Sequence, residues 1–248
     1  MAPAFAVGLL VTAVHAPLGI EVLKRGIVFI DLATAQVVGL AIILLGLWLD
    51  EPSWPLQQLA SFSAGIAVAL FFRWVELTSP MEQEAVIGSS FILAASVTLL
   101  ALADSPHGGE ELTHVLSGQI LFVSWSDIAA FLPIYVVVAS LWMAVPGMRS
   151  GAGFFVLFAL AITASVQLVG VYVVFASLIL PALSAHRGGE YVLGRALMSG
   201  AAAVTVATVV SAYADLPAGP FLVVCFAVSA VATRLVFLKE GPAAINKR

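Results

Sequence analysis

Long apolar stretches follow one another along almost the whole chain, and short polar segments rich in glycine or proline separate them. The stretches cover residues 4–23, 28–49, 58–77, 85–103, 128–146, 152–167, 168–184, 196–214 and 219–238. Most approach the roughly 20 residues that a helix needs to cross a bilayer. No hydrophilic segment separates the pair near Gln167, which indicates either two short spans or one broken helix. The pattern predicts an all-α integral membrane protein, with eight or nine transmembrane helices in one bundle and a single domain over residues 1–248.

Composition supports a membrane location. Of the 248 residues, 62% are hydrophobic and only 10% are charged, and the mean hydropathy is +1.11. A soluble domain carries about 25% charged residues, so a water-soluble protein is excluded, and nothing indicates nucleic-acid binding. No Lys or Arg precedes Lys24, so the first stretch is predicted to be a retained helix and not a signal peptide.

Basic residues predict the orientation. If nine segments alternate from an outside N-terminus, all ten Lys and Arg residues lie in or beside the cytoplasmic segments. They are Lys24, Arg25, Arg73, Arg149, Arg187, Arg195, Arg234, Lys239, Lys247 and Arg248. Loops on the other side carry acids such as Asp50, Asp104 and Asp215. The positive-inside rule therefore predicts an outside N-terminus and an inside C-terminus.

The stretch from Gln167 to Arg195 is QLVGVYVVFASLILPALSAHRGGEYVLGR. It begins with an apolar segment, which Pro181 is expected to end, and it continues into a polar turn. It resembles the VGxxLVxAxLIxPAxxA stretch of the metal-uptake permeases of ABC transporters. Further segments resemble other blocks of that family, in the same order along the chain. They are LGIEVLKRGIVFIDLATAQ (18–36), the helix that begins at Glu84, the segment 112–127 and SAYADLPAGP (211–220).

The resemblance implies the permease subunit of an ATP-driven importer of divalent metal ions, zinc or manganese, in a prokaryotic plasma membrane. Such permeases work as two copies, and the ion passes between the copies. Their partners are a cytoplasmic ATPase subunit and an extracytoplasmic metal-binding protein. The metal is cargo, and no permanently bound cofactor is expected. The resemblance places the docking contact with the ATPase on the turn after the Gln167 stretch. Its residues are Pro181, Ala182, Ser184, Ala185, His186, Arg187, Gly188 and Gly189.

Enzyme motifs are absent from the sequence. It contains no His-Glu-x-x-His, no G-x-S-x-G and no phosphate-binding G-x-x-x-x-G-K-[ST]. The chain is therefore not predicted to be an enzyme, and ATP hydrolysis is expected on a separate subunit.

Asp31 and Gln36 are the candidates for the metal path. Asp31 lies about one turn inside an apolar stretch, where acids usually face a pathway or a charged partner. The alternative is an ion pair between Asp31 and Lys24 or Arg25. Where the family has a histidine ligand this chain has Ala35, followed by Gln36, so that ligand does not carry over. His15 either faces the path or hydrogen-bonds a neighbouring helix.

A second cluster is predicted outside the membrane. His107, Glu110, Glu111 and His114 share one face if their segment is helical. Imidazole and carboxylate suit zinc, and carboxylate also suits manganese. The cluster could capture an arriving ion, or the segment is a solvated loop.

Two other functions stay open at this stage. One is a stand-alone secondary metal transporter in which Asp31 carries the coupled proton. The other is a membrane scaffold without transport. The polar turn after Pro181 favours the ABC permease, because a stand-alone carrier has no need of it.

Overall fold

The structure is a computed structural model that describes residues 1–49, 51–103, 120–185, 191–214 and 216–238. The described part of the chain forms nine α-helices: α1 Ala2–Arg25, α2 Ile30–Trp48, α3 Trp54–Thr78, α4 Gln83–Ala101, α5 Trp125–Ala144, α6 Gly151–Val169, α7 Val171–Ala185, α8 Val192–Ala214 and α9 Ala218–Leu238. Short 3₁₀ turns lie at Pro80–Glu82, Ile120–Phe122 and Pro146–Arg149. A helix satisfies its backbone hydrogen bonds internally, which a segment in hydrocarbon requires. The prediction of an all-α membrane protein is confirmed.

Within the described ranges, eight helices are long and apolar enough to cross a membrane, and α7 is the short one. Its 15 residues reach about 22 Å, less than the roughly 30 Å of a hydrocarbon core. However, α7 packs against α1, α8 and α9, and most of its side chains are buried. The surrounding helices therefore shield α7 from lipid.

The break near Gln167 is a reversal of the chain at Gly170, which has φ 79° and ψ 163°. A side chain at this positive φ would be strained, so glycine is required. His15 of α1 hydrogen-bonds both Ser165 of α6 and Ser177 of α7. In one straight helix these serines would lie about 18 Å apart, too far for one imidazole ring. Helices α6 and α7 are thus two elements that fold back on each other.

Pro181 does not end a helix, contrary to the prediction. Helix α7 continues for another turn to Ala185, with Pro181 inside it. Proline is tolerated within buried membrane helices because neighbouring groups satisfy the backbone positions that it frees. In the last turn of this helix, the Ser184 hydroxyl donates to the Pro181 carbonyl oxygen over 2.7 Å.

The centre of the bundle is built on α1, α6 and α7. At Gly19 of α1 an added Cβ would lie 2.0 Å from the Leu178 carbonyl oxygen of α7. Close backbone approach through small residues is a common mode of helix association in membranes. Ala16, Ala185 and Ala196 extend the same small-residue contact to α8.

Basic side chains gather at one end of the bundle. Arg25 at the end of α1 contacts Glu76 of α3 and the Arg149 carbonyl oxygen before α6. Leu193 at the start of α8 lines a groove with Arg149, and Arg195 lies over the Phe237 ring of α9. We call the end that carries Arg25, Arg73, Arg149 and Arg195 the basic end. Gln58 of α3 bonds Gln167 of α6 at the opposite end, so these helices alternate in direction.

Candidate functional site

Arg25 is the centre of an ionic network at the basic end. Its guanidinium donates to Glu21 over 3.3 Å, to Glu76 over 3.1 Å and to the Arg149 carbonyl oxygen over 3.0 Å. It also lies 4.1 Å above the centre of the Phe154 ring. Lys24 pairs with Glu21 over 3.7 Å. The ion pairs of Lys24 and Arg25 are therefore with Glu21 and Glu76, and not with Asp31.

Asp31 lies in the first turn of α2, near the same end, and is completely buried. No side chain hydrogen-bonds either carboxylate oxygen, and the donors beside it are the backbone N–H groups of Asp31 and Leu32. Among the described residues, the charged side chain that interacts with it is another acid, Glu84 of α4. Burying an unpaired carboxylate is costly, so this position has an unmet need for positive charge or a proton.

Glu84 is held against the start of α2. Its Oε1 accepts a hydrogen bond of 3.2 Å from the backbone N–H of Phe29, the residue before the first turn of α2. Its Oε2 is buried and has no partner. The helix α4 thus brings a second carboxylate to the helical turn that carries Asp31.

Gln36 opens onto a groove among α2, α4, α7 and α9. It lies five residues after Asp31, about 7.5 Å further along the helix. The groove has a volume of about 420 Å³ and is otherwise lined by apolar side chains such as Leu32, Phe91 and Phe175. Gln36 therefore offers an amide group above Asp31 on the same helix.

His15 is fully buried and connects four helices through hydrogen bonds. The Ser177 hydroxyl donates to the Val174 carbonyl oxygen over 3.0 Å, so Ser177 accepts the hydrogen of His15 Nδ1 over 2.8 Å. Neutral Nε2 then accepts from Ser165 over 2.9 Å, and Ser165 accepts from the Tyr135 hydroxyl over 2.7 Å. When the imidazole ring is neutral, each of these N–H and O–H donors has an acceptor. His15 thus bonds neighbouring helices, one of the two roles that the sequence left open.

The comparisons with known proteins decide the family. The model of the ABC 3 transport family matches residues 1–148 and 143–236, nearly the whole chain. The chain belongs to the ABC 3 transport family. The family predicted from the sequence motifs is therefore confirmed, and no curated protein sequence matches the chain significantly.

Two solved structures share the fold of this ABC 3 family member. One is PsaBC from Streptococcus pneumoniae in complex with Fab, with a TM-score of 0.72 and 18% identity over 96% of this chain and 94% of that chain. The other is an inward-facing metal-chelate type ABC transporter, with a TM-score of 0.64 and 16% identity over 96% of this chain and 85% of that one. At these identities the likeness shows the fold alone.

The residues predicted to dock the ATPase divide into two sets. Pro181, Ala182, Ser184 and Ala185 are buried in the last turns of α7. In this conformation they pack inside the ABC 3 fold and present little surface to another subunit. The other four, His186, Arg187, Gly188 and Gly189, lie outside the described residues.

The predicted outer cluster also lies outside the described residues: His107, Glu110, Glu111 and His114. Among the described residues, no group of three or more His, Cys, Asp or Glu side chains could hold a metal ion. The described part of this ABC 3 permease therefore offers carboxylates in pairs at most, as at Asp31 and Glu84.

A polar pocket at the opposite end was not predicted. It has a volume of about 290 Å³, and Gln57, Gln58, Asp127 and Gln167 contribute its polar lining. Gln58 donates to Gln167 over 2.8 Å, while the Gln58 oxygen is buried without a partner. Their sequence positions, more than 100 residues apart, gave no signal that these amides would meet.

Glu84 was likewise missed as a site residue. Its segment was matched to a family motif, but its side chain was given no role. The signal that could have identified it is an acid in the first turn of an apolar helix, the same signal that identified Asp31.

Proposed function

We propose that the chain is the permease subunit of an ATP-driven importer of divalent metal ions, with zinc or manganese as cargo. Membership of the ABC 3 transport family supports transport as the function. The observation that carries the metal assignment is Asp31, a buried carboxylate with no side-chain hydrogen-bond partner in a membrane-spanning helix. Carboxylate oxygens are the ligands that hard divalent cations prefer.

The working assembly contains two copies of this chain, two ATPase subunits on one face and a metal-binding protein on the other. The ion passes between the copies, and ATP binding and hydrolysis switch the path between the two faces. The likeness in fold to a metal-chelate type ABC transporter supports such an assembly.

The basic end faces the cytoplasm of a prokaryotic cell in this proposal. Among the described helices, α1, α3, α8 and α9 carry basic residues at that end, and the positive-inside rule assigns it to the cytoplasmic side. The N-terminus then lies outside and the ATPase docks near Arg25. Asp31 lies near the inner end of the path, with Gln36 above it.

Ion capture on the outer side falls to His107, Glu110, Glu111 and His114. Mixed imidazole and carboxylate ligands would accept zinc or manganese from the metal-binding protein. The ion would then move past Gln36 toward Asp31.

Docking to the ATPase is tested at the turn after α7. Arg187→Ala, or two extra glycines after Gly189, is expected to leave the permease folded while weakening its co-purification with the ATPase. The reason is that this turn joins two helices at the basic end and carries a cation in a short polar segment. The measurement is the amount of ATPase that co-elutes with the permease in size-exclusion chromatography.

The control is Glu51→Gln in the connection at the opposite end, between α2 and α3. That variant should retain the ATPase fully. Normal co-elution of the Arg187→Ala and lengthened variants would show that the turn does not form the docking contact.

A further inference from the structure

An apolar groove opens between α1, α5 and α8 and runs to the basic end. It has a volume of about 460 Å³. Its wall includes Ala13 and Leu18 of α1, Ala139 of α5 and Leu197 of α8, and Arg149 lines it at the basic end. From Ala13 to Leu18 the wall extends about 7.5 Å along α1, roughly half the hydrocarbon depth of one leaflet. The groove is therefore apolar along its length and cationic at one end, as a phospholipid requires.

The charge of Arg149 is only partly balanced by the protein. Its Nε donates to the Trp142 carbonyl oxygen over 2.7 Å, and its Nη2 donates to the Met143 carbonyl oxygen over 3.2 Å. These oxygens belong to the last turn of α5, whose C-terminus supplies about half a negative charge. Among the described residues, no carboxylate lies within ion-pair distance of Arg149. A guanidinium carries five N–H donors, so it can bind an anion while it holds these two carbonyl oxygens.

A network of three cations and two carboxylates lies beside Arg149. Its members are Lys24, Arg25, Arg73, Glu21 and Glu76. Arg25 joins the network to Arg149, because it donates to the Arg149 carbonyl oxygen over 3.0 Å. The network thus has one positive charge more than its own carboxylates neutralise, in addition to the charge of Arg149. This excess favours an anion at the end of the groove, because basic pockets between transmembrane helices bind anionic lipid headgroups.

We propose that the groove binds one anionic phospholipid of the leaflet at the basic end. One acyl chain lies between α1, α5 and α8, and the phosphate binds the Arg149 guanidinium, whose N–H groups form strong charge-assisted hydrogen bonds to phosphate oxygens. The groove shares no helix with the one at Gln36, which α2, α4, α7 and α9 line. A bound lipid would therefore leave the predicted ion path free, and the site requires neither metal nor ATPase.

The headgroup contact is tested by changes at Arg149. Arg149→Gln removes the positive charge, whereas Arg149→Lys keeps the charge and replaces the guanidinium that holds the two carbonyl oxygens. Lys24→Gln is the matched control, because it removes one cation from the same end at an exposed position that does not line the groove.

The acyl contact is tested without altering Arg149. Ala13→Phe places a large side chain in the groove from an exposed position on α1. Ala130→Phe is its control, because Ala130 is an exposed alanine of α5 that does not line the groove. The melting temperature of each variant in detergent without lipid reports whether it is folded.

The measurement is native mass spectrometry of the untagged full chain in detergent, titrated with phosphatidylglycerol or with phosphatidylcholine of the same acyl chains. The parent should bind one phosphatidylglycerol per protomer, about fivefold or more tightly than phosphatidylcholine, which is the effect of one cation near an anionic lipid. Arg149→Gln should lose this preference, while Arg149→Lys and Lys24→Gln retain it. Ala13→Phe should bind both lipids about tenfold more weakly, since exclusion of two methylenes accounts for that factor, and Ala130→Phe should bind as the parent does.

A parent that binds the two lipids equally would overturn the site, and so would an unchanged preference in Arg149→Gln. Unchanged lipid binding by Ala13→Phe would show that the groove does not hold the acyl chain. Glycerol phosphate, which has the anionic group without the chains, should not displace phosphatidylglycerol at equal concentration. Displacement by glycerol phosphate would identify an anion site without a lipid and would also contradict the proposal.

Discussion

Asp31→Asn is expected to reduce metal uptake by about a hundredfold or more, while the protein still inserts and still binds its ATPase. Asparagine has nearly the same size as aspartate but lacks its charge. Two unit charges at 4 Å interact by about 4 kcal/mol at an effective dielectric constant of 20, which is close to a thousandfold in affinity. Because Asp31 is fully buried, water cannot replace the lost carboxylate efficiently. The measurement is the initial rate of labelled zinc and manganese uptake into vesicles that contain the full assembly.

Glu82→Gln serves as the control, since it also removes one carboxylate near the same end but from an exposed position. It should retain the parent rate. Unchanged uptake in Asp31→Asn would eliminate Asp31 from the path. Asp31 would then have a structural role other than an ion pair with Lys24 or Arg25, since both already bind other carboxylates.

His15→Leu is expected to destabilise the bundle by about 1–3 kcal/mol, the usual cost of leaving a buried polar group without its partner. The change removes the acceptor of the Ser165 hydroxyl and the donor to Ser177. These bonds join α1 to α6 and α7 at the centre of the bundle, so the loss should lower the melting temperature in detergent. The expected loss of stability is above the average of about 0.6 kcal/mol for a hydrogen bond between membrane helices, because one imidazole ring bonds to two helices.

The quadruple variant His15→Leu, Tyr135→Phe, Ser165→Ala, Ser177→Ala is the matched test of the cause, because Tyr135 donates to Ser165 and would otherwise lose its acceptor. Replacing all partners with apolar groups of similar shape can be nearly neutral, so the quadruple variant should recover most of the lost stability. A quadruple variant that is no more stable than His15→Leu would show that the imidazole acts by filling space. A single variant as stable as the parent would show that the bonds contribute little.

The helical architecture was predictable because an apolar segment inside hydrocarbon must satisfy its backbone hydrogen bonds internally, as a helix does. Stretches of about 20 apolar residues must form helices there, and polar punctuation predicted most of their ends. The sequence predicted a boundary without a hydrophilic loop near Gln167, either a turn between two short spans or a broken helix, and the structure places a turn three residues later, at Gly170. The end at Pro181 was wrong because a buried proline does not have to terminate a membrane helix.

The contacts of the site were less predictable, because they depend on which helices become neighbours. Lys24 and Arg25 are close to Asp31 in sequence, but Arg25 pairs with Glu76, 51 residues away. The partners of His15 are 150 and 162 residues distant. Glu84 reaches the start of α2 from 55 residues beyond Phe29. Side-chain type alone identified Asp31 and His15 as unusual, while packing decided their partners.

ATP-driven metal uptake is the most direct test of the proposed importer. The chain would be reconstituted into lipid vesicles with its ATPase and metal-binding protein, and the accumulation of labelled zinc and manganese would be followed. We predict accumulation that requires hydrolysable ATP and stops when the ATPase subunit is omitted. Equal accumulation by the chain alone, driven by a proton gradient and insensitive to ATP, would contradict the proposal and indicate a stand-alone secondary transporter.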